Sequence, residues 1–452
     1  SEWILSENES SPRFEQHARK GSFCFLPICA NNSEKFLKKL GELEKDPEIF
    51  ESPKNFQYRA FQDFQNTDAE FSMVLLAENP SKLKEEIIQA QKSVSRCFED
   101  GKDWQTPSGS FFTTKPLGQE KIAFVYPGGF NTYVGSGNSL FEMDPELHER
   151  SLSYSSKIKT LLHPEFLFPQ SPSIQSEEEL KQLQQQFYDS PNPMFESGIS
   201  SAVLATQVMR NAFGIEPHAA FGYSMGEVSM LFSLGVWGSM DPMSEVLNAS
   251  PLFHERIAGP MNSVREYWKL KDTDFQNESL WNWYTLRAEP ELVAKALEKR
   301  ERVYLVLINT PQEVVIAGEP SACKELIEEL QCESHEIPVT DVVHCPPVQS
   351  EYEEIKKVHT NKVVDKPKVD FFSAADYTTT KLDSEILADN IARFYGRTVD
   401  FSKLVEEVYR SGARIFIDMG PRSSCARWIT ENLGNRPHLS LGINRKGMDD
   451  RQ

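Results

Sequence analysis

Residues 219–231 read AAFGYSMGEVSML, a stretch that predicts a strand, a sharp turn and a helix in immediate succession. Glycines at 222 and 226 let the backbone fold tightly around Ser224, which lifts the serine hydroxyl above the end of a sheet. The helix that follows directs its positive end toward negative charge developing at the serine. Ser224 is therefore the predicted nucleophile. The alternative is a turn serine whose hydroxyl only caps the helix.

The composition indicates a globular protein of two or three compact units. The chain has 452 residues, of which 39% are hydrophobic and 29 are phenylalanine. A formal net charge of −19 repels nucleic-acid phosphates, so we expect no nucleic-acid partner. No stretch approaches the roughly 20 apolar residues that a membrane span requires, so we expect no membrane partner.

Seven cysteines are scattered along the chain, without a C-x-x-C pair and without a secretory leader ahead of them. This pattern predicts a reducing, cytoplasmic location. His344 and Cys345 are the only adjacent His/Cys pair, and a tetrahedral zinc site needs further ligands at short spacing, so we predict no metal. The chain begins at Ser1 rather than methionine, which is typical of a piece excised from a longer protein.

The alternation of short apolar runs with amphipathic stretches predicts an α/β fold in several parts. Residues 1–21 are a polar tail, and residues 22–118 form a small α/β linker domain. Its predicted strands and helices are strands 23–28 and 71–77 and helices 34–43 and 80–97. Within it, residues 101–118 carry the prolines and glycines of a connecting segment.

The main unit is predicted to be a hydrolase-like large subdomain with a parallel sheet, covering residues 119–282 and 341–440. Between its halves, residues 283–340 read strand, helix, strand, strand, helix, strand, the order of a ferredoxin-like small subdomain. Residues 135–137 (GSG) do not continue into a dinucleotide-binding fingerprint, because neither its spacing nor its downstream acidic residue is clear. Further elements of the large subdomain are expected as strands 121–126, 369–373 and 415–418 and a helix 401–409.

Nine histidines compete to be the base that takes the proton from Ser224. His344 follows the last strand of the small subdomain, and the prolines in residues 342–347 (VVHCPP) hold its ring at a strand end. Placement favours His344, and the alternative is a partly buried histidine satisfied by a carbonyl. His218 and His254 are interpreted as surface or packing residues.

An acyl transfer passes through an anionic tetrahedral state whose oxygen needs two main-chain N–H donors. Met225, directly after the nucleophile, offers one candidate amide. Gly129, in the turn after the first strand of the main unit, offers the other, because a residue without Cβ lets the backbone approach a substrate closely. The alternative for Gly129 is a turn glycine with no further role.

A group of motifs carries a resemblance to a known family. In chain order they are residues 126–129 (YPGG) with 134–137 (VGSG), 222–227 (GYSMGE), 309–318 (NTPQEVVIAG), His344 and 418–421 (DMGP). They resemble malonyl-CoA:acyl-carrier-protein transacylases and the acyltransferase domains of polyketide synthases, over about residues 121–433. Residues 22–115 are similar to the linker module that precedes such domains in multienzymes. The sequence PGGFNTY at 127–133 most resembles the corresponding segment of the acyltransferases in the B-type subunit of polyunsaturated fatty acid synthases.

The resemblance implies that Ser224 takes an acyl group, expected to be malonyl, from acyl-CoA and passes it to the phosphopantetheine thiol of an acyl carrier protein, with His344 as the base. No bound cofactor is expected, and the expected partners are the carrier protein and other synthase domains such as ketosynthase. In the family, an arginine after the serine motif binds the malonyl carboxylate, and Arg256 is the best match. The alternative for Arg256 is a surface arginine paired with Glu255 or Glu266. Asn309 is expected to wall the acyl pocket and bind substrate.

The chain also departs from the family. Gly129 stands where the family has glutamine, a glutamine is missing near residues 196–198 (ESG), and residues 341–344 (DVVH) match neither common signature for malonyl or methylmalonyl donors. The acyl donor therefore stays open. Two other functions also stay open: a serine hydrolase or thioesterase that delivers the acyl group to water, and a catalytically silent docking domain in which Ser224 or His344 is uncoupled.

Overall fold

The computed structural model describes residues 24–46, 48–51, 53–137, 140–144, 146–157, 162–167, 176–271 and 279–446. The chain divides into two compact units, one ending at Gly118 and the other beginning at Gln119. The polar tail predicted at residues 1–21 lies outside the described residues. Within the described ranges, no helix combines the length and the apolar character that a bilayer crossing demands.

The first unit is built on a four-stranded antiparallel sheet. In chain order its elements are β1 (Cys24–Ala30), α1 (Ser33–Glu42), a 3-10 turn (Leu43–Lys45), α2 (Glu48–Glu51), α3 (Pro53–Asn66), β2 (Phe71–Ala77), α4 (Pro80–Asp100), β3 (Trp104–Gln105) and β4 (Phe111–Phe112). The strands lie in the order β1-β2-β4-β3. The side chain of Asn79 caps the start of α4, and Gly101 ends that helix in the left-handed conformation, with φ 67°. The two strands and two helices predicted for this unit are confirmed.

Residues 104–105 and 111–112 are strands of this sheet, so the prediction of a connecting segment is wrong for this part of residues 101–118. β4 pairs with both β2 and β3, and Phe112 of β4 is fully buried. The ring of Phe112 stacks on that of Phe36, with centroids 4.8 Å apart. A strand of two residues carries too little periodicity to stand out among prolines and glycines. Helix α3 was also missed.

The second unit holds two further sheets. Its elements are, in chain order, β5 (Lys121–Tyr126), α5 (Leu140–Met143), α6 (Leu147–Ser151), α7 (Pro164–Leu167), α8 (Glu177–Tyr188), α9 (Pro191–Gln207), a π-helical turn (Val208–Ala212), β6 (Ala219–Gly222), α10 (Gly226–Ser233), α11 (Asp241–Ala249), a π-helical turn (Leu252–Arg256), α12 (Asn262–Tyr267), β7 (Asn282–Leu286), α13 (Pro290–Leu297), β8 (Val303–Thr310), β9 (Glu313–Gly318), α14 (Pro320–Leu330), β10 (Ser334–Ile337), a 3-10 helix (Pro346–Glu351), α15 (Tyr352–His359), β11 (Asp370–Ser373), β12 (Thr378–Thr379), α16 (Ser384–Tyr395), β13 (Val399–Asp400), α17 (Phe401–Arg410), β14 (Ala413–Asp418), a 3-10 turn (Pro421–Ser423), α18 (Ser424–Leu433) and β15 (Leu439–Gly442).

The six-stranded sheet, called the large sheet, has the order β12-β11-β6-β5-β14-β15. Its neighbouring strands are parallel except for the short edge pair of β11 and β12. Phe124, Ala220 and Phe416, from the three central strands, are fully buried, as expected for a parallel sheet covered on both faces. The predicted parallel-sheet α/β fold is confirmed.

The five-stranded sheet, called the small sheet, has the order β10-β7-β9-β8-β13. Strands β7 to β10 are antiparallel, and with α13 and α14 they form the predicted ferredoxin-like order, which is confirmed. The fifth strand, β13, joins β8 in parallel from a point after residue 340. It has two residues and gave no signal in the sequence.

The central strands of the large sheet position the predicted motifs. β5, β6 and β14 run parallel, so the segments that follow them meet at one edge of the sheet. These segments carry Gly129, Ser224 and residues 418–421. The carboxyl edge is where sites form in α/β sheets, because helix N-termini and loops converge there.

Candidate active site

Ser224 lies in a tight turn between β6 and α10. Its φ of 55° is in the left-handed region, which costs a residue with a side chain about 1–3 kcal/mol. Both flanking glycines are required by close contacts: a Cβ on Gly222 would lie 2.0 Å from the amide of Glu227, and one on Gly226 would lie 1.9 Å from the carbonyl of Tyr126. The backbone is therefore packed so tightly that the serine side chain is presented outward.

His344 lies in the segment after β10, and main-chain hydrogen bonds to other parts of the unit hold this segment in place. The amide of His344 donates to the carbonyl of Tyr395 at 2.6 Å, and the amide of Val342 donates to the carbonyl of Ile257 at 2.7 Å. His344 also has a left-handed φ of 60°. The end of α16 therefore fixes the position of the histidine backbone.

The structure brings the two predicted residues into hydrogen-bond contact. Ser224 Oγ lies 2.7 Å from His344 Nε2, and His344 Nδ1 lies 3.0 Å from the carbonyl oxygen of Phe394. A carbonyl can only accept, so Nδ1 carries the ring proton and Nε2 is left as an acceptor for the serine hydroxyl. The alternative for His344 was a partly buried histidine satisfied by a carbonyl; such a carbonyl is present, and it orients the ring toward Ser224.

The electrostatic setting keeps the imidazole neutral. His344 is 1% exposed, and burial lowers its pKa to about 4, an effect that the Phe394 carbonyl offsets only in part. At neutral pH the ring is therefore unprotonated and can take a proton from Ser224.

The two candidate oxyanion residues, Met225 and Gly129, line the same cavity as Ser224. In the described part of the chain neither amide has a hydrogen-bond acceptor, so both are free to donate. A Cβ on Gly129 would meet nothing within 4 Å, whereas one on Gly128 would lie 3.0 Å from the carbonyl of Tyr223. The open space beside Gly129 is room for a ligand, and its role as a donor stays a prediction.

Ser224 and His344 open into a cavity of about 270 Å³. Its walls include strands of the small sheet and the segments that follow β5 and β6 of the large sheet. The apolar members of the lining include Met194, Phe195, Phe253, Trp283, Leu307 and Val343. A larger groove of about 810 Å³ lies beside α13 and α17, but neither Ser224 nor His344 lines it. Contact with the nucleophile, rather than size, identifies the smaller cavity as the candidate site.

Asn309 lies in the cavity wall, as predicted, but both ends of its side chain are already bonded. Its Oδ1 accepts the hydroxyl of Tyr223 at 2.7 Å, and its Nδ2 donates to Glu313 at 3.0 Å. Asn309 is 1% exposed. These bonds favour a positioning role beside the nucleophile, while substrate binding by Asn309 stays a prediction.

Arg256 is not among the residues that line the cavity, which corrects the prediction that it meets the substrate. Its guanidinium is bonded to Glu266 at 2.6 and 2.7 Å and to the buried Glu351 at 2.7 and 3.0 Å. The structure therefore agrees with the alternative of a paired arginine, with Glu351 rather than Glu255 as the second partner. The physical reason is that the carboxylates of Glu266 and Glu351 already accept hydrogen bonds from the guanidinium, which was predicted to bind the carboxylate of the substrate.

The two other histidines considered lie elsewhere, as predicted. His218 precedes β6, at the opposite end of the strand from Ser224, and its Nδ1 accepts the amide of Ile122 at 3.1 Å. His254 is exposed and its Nε2 lies 3.2 Å from Asn192 Nδ2.

Three features of the site were missed from the sequence. The Phe394 carbonyl is a backbone group that every residue has, so no residue type in the sequence indicates it. Arg422 lines the cavity and donates to the carbonyl of Asn131 at 3.0 Å and to the hydroxyl of Tyr188 at 2.5 Å. Asp341 also lines the cavity, and burial raises its pKa to about 7. The signal for Asp341 was the sequence DVVH at 341–344, which matches neither common signature for malonyl or methylmalonyl donors.

Among the described residues, no group of three or more His, Cys, Asp or Glu side chains is arranged to hold a metal ion. Ser224 places a hydroxyl beside the neutral imidazole of His344, the pair that acyl transfer through a serine requires, and the amides of Met225 and Gly129 stay the predicted oxyanion donors.

Comparison with known proteins agrees with the motif resemblance. No protein-family model matches the chain. The B-type subunit of the polyunsaturated fatty acid synthase of Thraustochytrium sp. is 29% identical over 390 residues, which cover 83% of this chain and 19% of that protein. The chain spans about a fifth or less of the length of the first curated relatives it matches.

Solved structures share the fold. The acyltransferase domain from module 8 of the salinomycin polyketide synthase has a TM-score of 0.71 at 18% identity, covering 95% of this chain and 94% of that one. A malonyl-transacylase solved with its type II polyketide synthase acyl-carrier protein has a TM-score of 0.55 at 16% identity, covering 73% of this chain and 97% of that one. The chain therefore has the fold of these acyltransferases, and the resemblance inferred from its motifs is confirmed.

Proposed function

We propose that this chain, which shares its fold with polyketide synthase acyltransferase domains, is an acyltransferase that moves an acyl group from CoA to the phosphopantetheine thiol of an acyl carrier protein. The observation that carries the proposal is the 2.7 Å contact between Ser224 Oγ and His344 Nε2 in the cavity wall. The names of the similar proteins support a place in the synthesis of polyunsaturated fatty acids or polyketides.

The first half-reaction forms an acyl-serine. As Ser224 Oγ attacks the thioester carbon, its proton passes to His344 Nε2, and the carbonyl oxygen becomes an oxyanion facing the amides of Met225 and Gly129. Collapse of this intermediate breaks the carbon–sulfur bond, and His344 returns the proton to the departing CoA thiolate. The Phe394 carbonyl stabilises the imidazolium that forms in between, since it accepts the Nδ1 proton at 3.0 Å.

The second half-reaction reverses the first with a different thiol. The phosphopantetheine thiol gives its proton to His344 and attacks the acyl-serine carbon, after which Ser224 recovers the proton as it leaves. These steps use a hydroxyl, an imidazole and main-chain amides, so the proposed reaction needs no bound cofactor beyond the CoA and phosphopantetheine arms of the substrates. The proposed partners are the acyl carrier protein and other synthase domains such as ketosynthase.

The thioesterase alternative shares both residues and differs only in the acceptor. In the docking-domain alternative Ser224 and His344 are uncoupled, and the 2.7 Å contact counts against it.

An acceptor experiment separates these functions. The purified chain is acylated with an acyl-CoA, freed of excess donor, and followed by intact mass with and without a phosphopantetheinylated carrier protein from a polyunsaturated fatty acid synthase. We expect the acyl group to leave faster with the carrier and to appear on it. Equal loss to water in both samples would favour the thioesterase, and no acylation by any donor would favour the docking domain. Ser224→Ala should take up no acyl group in this experiment. Its matched control is Ser239→Ala, which alters an exposed serine and should be acylated normally.

A further inference from the structure

Asp341 places an acidic side chain in the wall of the cavity into which Ser224 opens. It is the only carboxylate among the described residues that line the cavity, and Arg422 is the only lining side chain with a permanent positive charge. Asp341 forms no ion pair within the described structure, and its carboxylate accepts only the hydroxyl of Thr340, at 3.4 Å. The cavity therefore contains a carboxyl group without a cationic partner.

The position of Asp341 is fixed by its neighbours. The indole of Trp283, in β7, donates to the main-chain carbonyl of Asp341 at 2.9 Å. The carboxyl also lies near enough to Tyr395 to raise further the pKa of that buried hydroxyl, which burial already raises. His344 follows three residues later, and Trp283, Tyr395 and His344 all line the same cavity. Asp341 is thus held in the wall that an acyl group on Ser224 would face.

Neither Arg256 nor Arg422 forms an ion pair with Asp341 within the described residues. Arg256 is bonded to Glu266 and Glu351 and does not line the cavity. Arg422 donates to the carbonyl of Asn131, in the segment after β5, and to the hydroxyl of Tyr188, at the end of α8. A donor carboxylate entering beside Asp341 would bring a second negative charge into a desolvated space, or would force one of the two groups to hold a proton.

We propose that Asp341 selects the acyl group of this site by excluding donors that carry a carboxylate, so that the substrate is an uncharged acyl thioester. This inference rests on the proposed acyltransferase function and deepens it. Burial raises the pKa of Asp341 to about 7, which agrees with a carboxyl that is poorly stabilised as an anion, and a second carboxylate beside it would raise that pKa further. The apolar walls supply the favourable contacts for a hydrocarbon chain.

The test compares two donors of nearly the same shape. Malonyl-CoA and isovaleryl-CoA both place a methylene and a three-atom branch after the thioester carbonyl, but the branch is a carboxylate in the first and an isopropyl group in the second. The rate of single-turnover acylation of the whole chain is measured by rapid quench and intact mass. The wild-type protein is expected to react faster with isovaleryl-CoA.

Asp341→Asn removes the charge with little change of shape, and it is expected to raise the malonyl-to-isovaleryl rate ratio about tenfold or more. Asp370→Asn, which alters an exposed aspartate, is the matched control and should leave the ratio unchanged. Asp341→Ser is a second variant that tests the same ratio if the asparagine variant folds poorly.

Two results would overturn the inference while leaving the proposed function intact. One is a wild-type protein that prefers malonyl-CoA, and the other is a ratio that stays the same in both Asp341 variants. Absence of acylation by either donor would instead remove the proposed function and the inference together.

Discussion

The hydroxyl of Tyr223 donates a 2.7 Å hydrogen bond to Asn309 Oδ1, which ties the residue before the nucleophile to the small sheet. Asn309 donates in turn to Glu313, which also accepts from Arg427 and from the indole of Trp428. Although burial acts to raise it, these donors hold the pKa of Glu313 below its ordinary value. The network joins the turn at Ser224 to the wall of the cavity through buried polar groups.

Asn309→Ala should disrupt this network. The variant leaves the Tyr223 hydroxyl and the Glu313 carboxylate each short of a buried partner, so we expect the free energy of unfolding to fall by about 1–3 kcal/mol. Tyr223→Phe should cost about 1 kcal/mol, and the double variant should lose less than the sum because the two residues share one bond. Urea denaturation measures all three. Strictly additive losses would show that the bond contributes nothing.

Arg256→Ala tests the corrected role of that residue. Because the buried Glu351 loses its charged partner, we expect the free energy of unfolding to fall by about 1–3 kcal/mol. The ratio of malonyl-CoA to isovaleryl-CoA acylation should not change, since Arg256 lies outside the cavity lining. Urea denaturation and the acylation assay are run on the same preparation. A selective loss of malonyl transfer would show that Arg256 binds the donor carboxylate after all.

Glycines at three positions should respond differently to alanine. Gly222→Ala and Gly226→Ala place a methyl group about 2 Å from backbone atoms. We expect each to lower the free energy of unfolding by at least about 1–3 kcal/mol, the usual range for overpacking. Gly129→Ala meets no atom within 4 Å and should leave stability nearly unchanged, so it is the matched control. Equal stability of all three variants would contradict the tight turn.

The pH dependence of acylation should report the buried imidazole. Because burial lowers the pKa of His344 from 6.5 to about 4, the neutral base persists well below pH 6 and is lost only as the pH falls through about 4. With isovaleryl-CoA, the acylation rate should be flat between pH 7 and 5 on this account and should then fall. Circular dichroism at each pH is the control for unfolding, since burial also lowers the pKa of His359 to about 4. A fall centred near 6.5 would mean that the base is exposed.

The sequence predicted those parts of the site whose signals are local. The glycines around Ser224 and the prolines after His344 lie within a few residues of the groups they position, so the nucleophile and the base were predictable. The role of Arg256 was not, because its pairing depends on Glu351, which lies 95 residues away in the chain. The carbonyl of Phe394 was not predictable either, since every residue carries a carbonyl and only the end of α16 selects this one.

The secondary structure shows the same difference between local signals, which were predictable, and distant partners, which were not. The βαββαβ order and the central parallel strands are long or strongly apolar and were predicted, whereas β3, β4 and β13, with two residues each, were not. Short strands are fixed by their partners in the sheet, and those partners are distant in the sequence.

The central claim is that Ser224 carries the acyl group, and its most direct test is to locate that group. The chain is incubated with an acyl-CoA, quenched, digested and sequenced by tandem mass spectrometry. The account predicts one acyl group on Ser224, no adduct in Ser224→Ala, and a normal adduct in Ser239→Ala. An adduct on another residue, or equal labelling of Ser224→Ala, would contradict it.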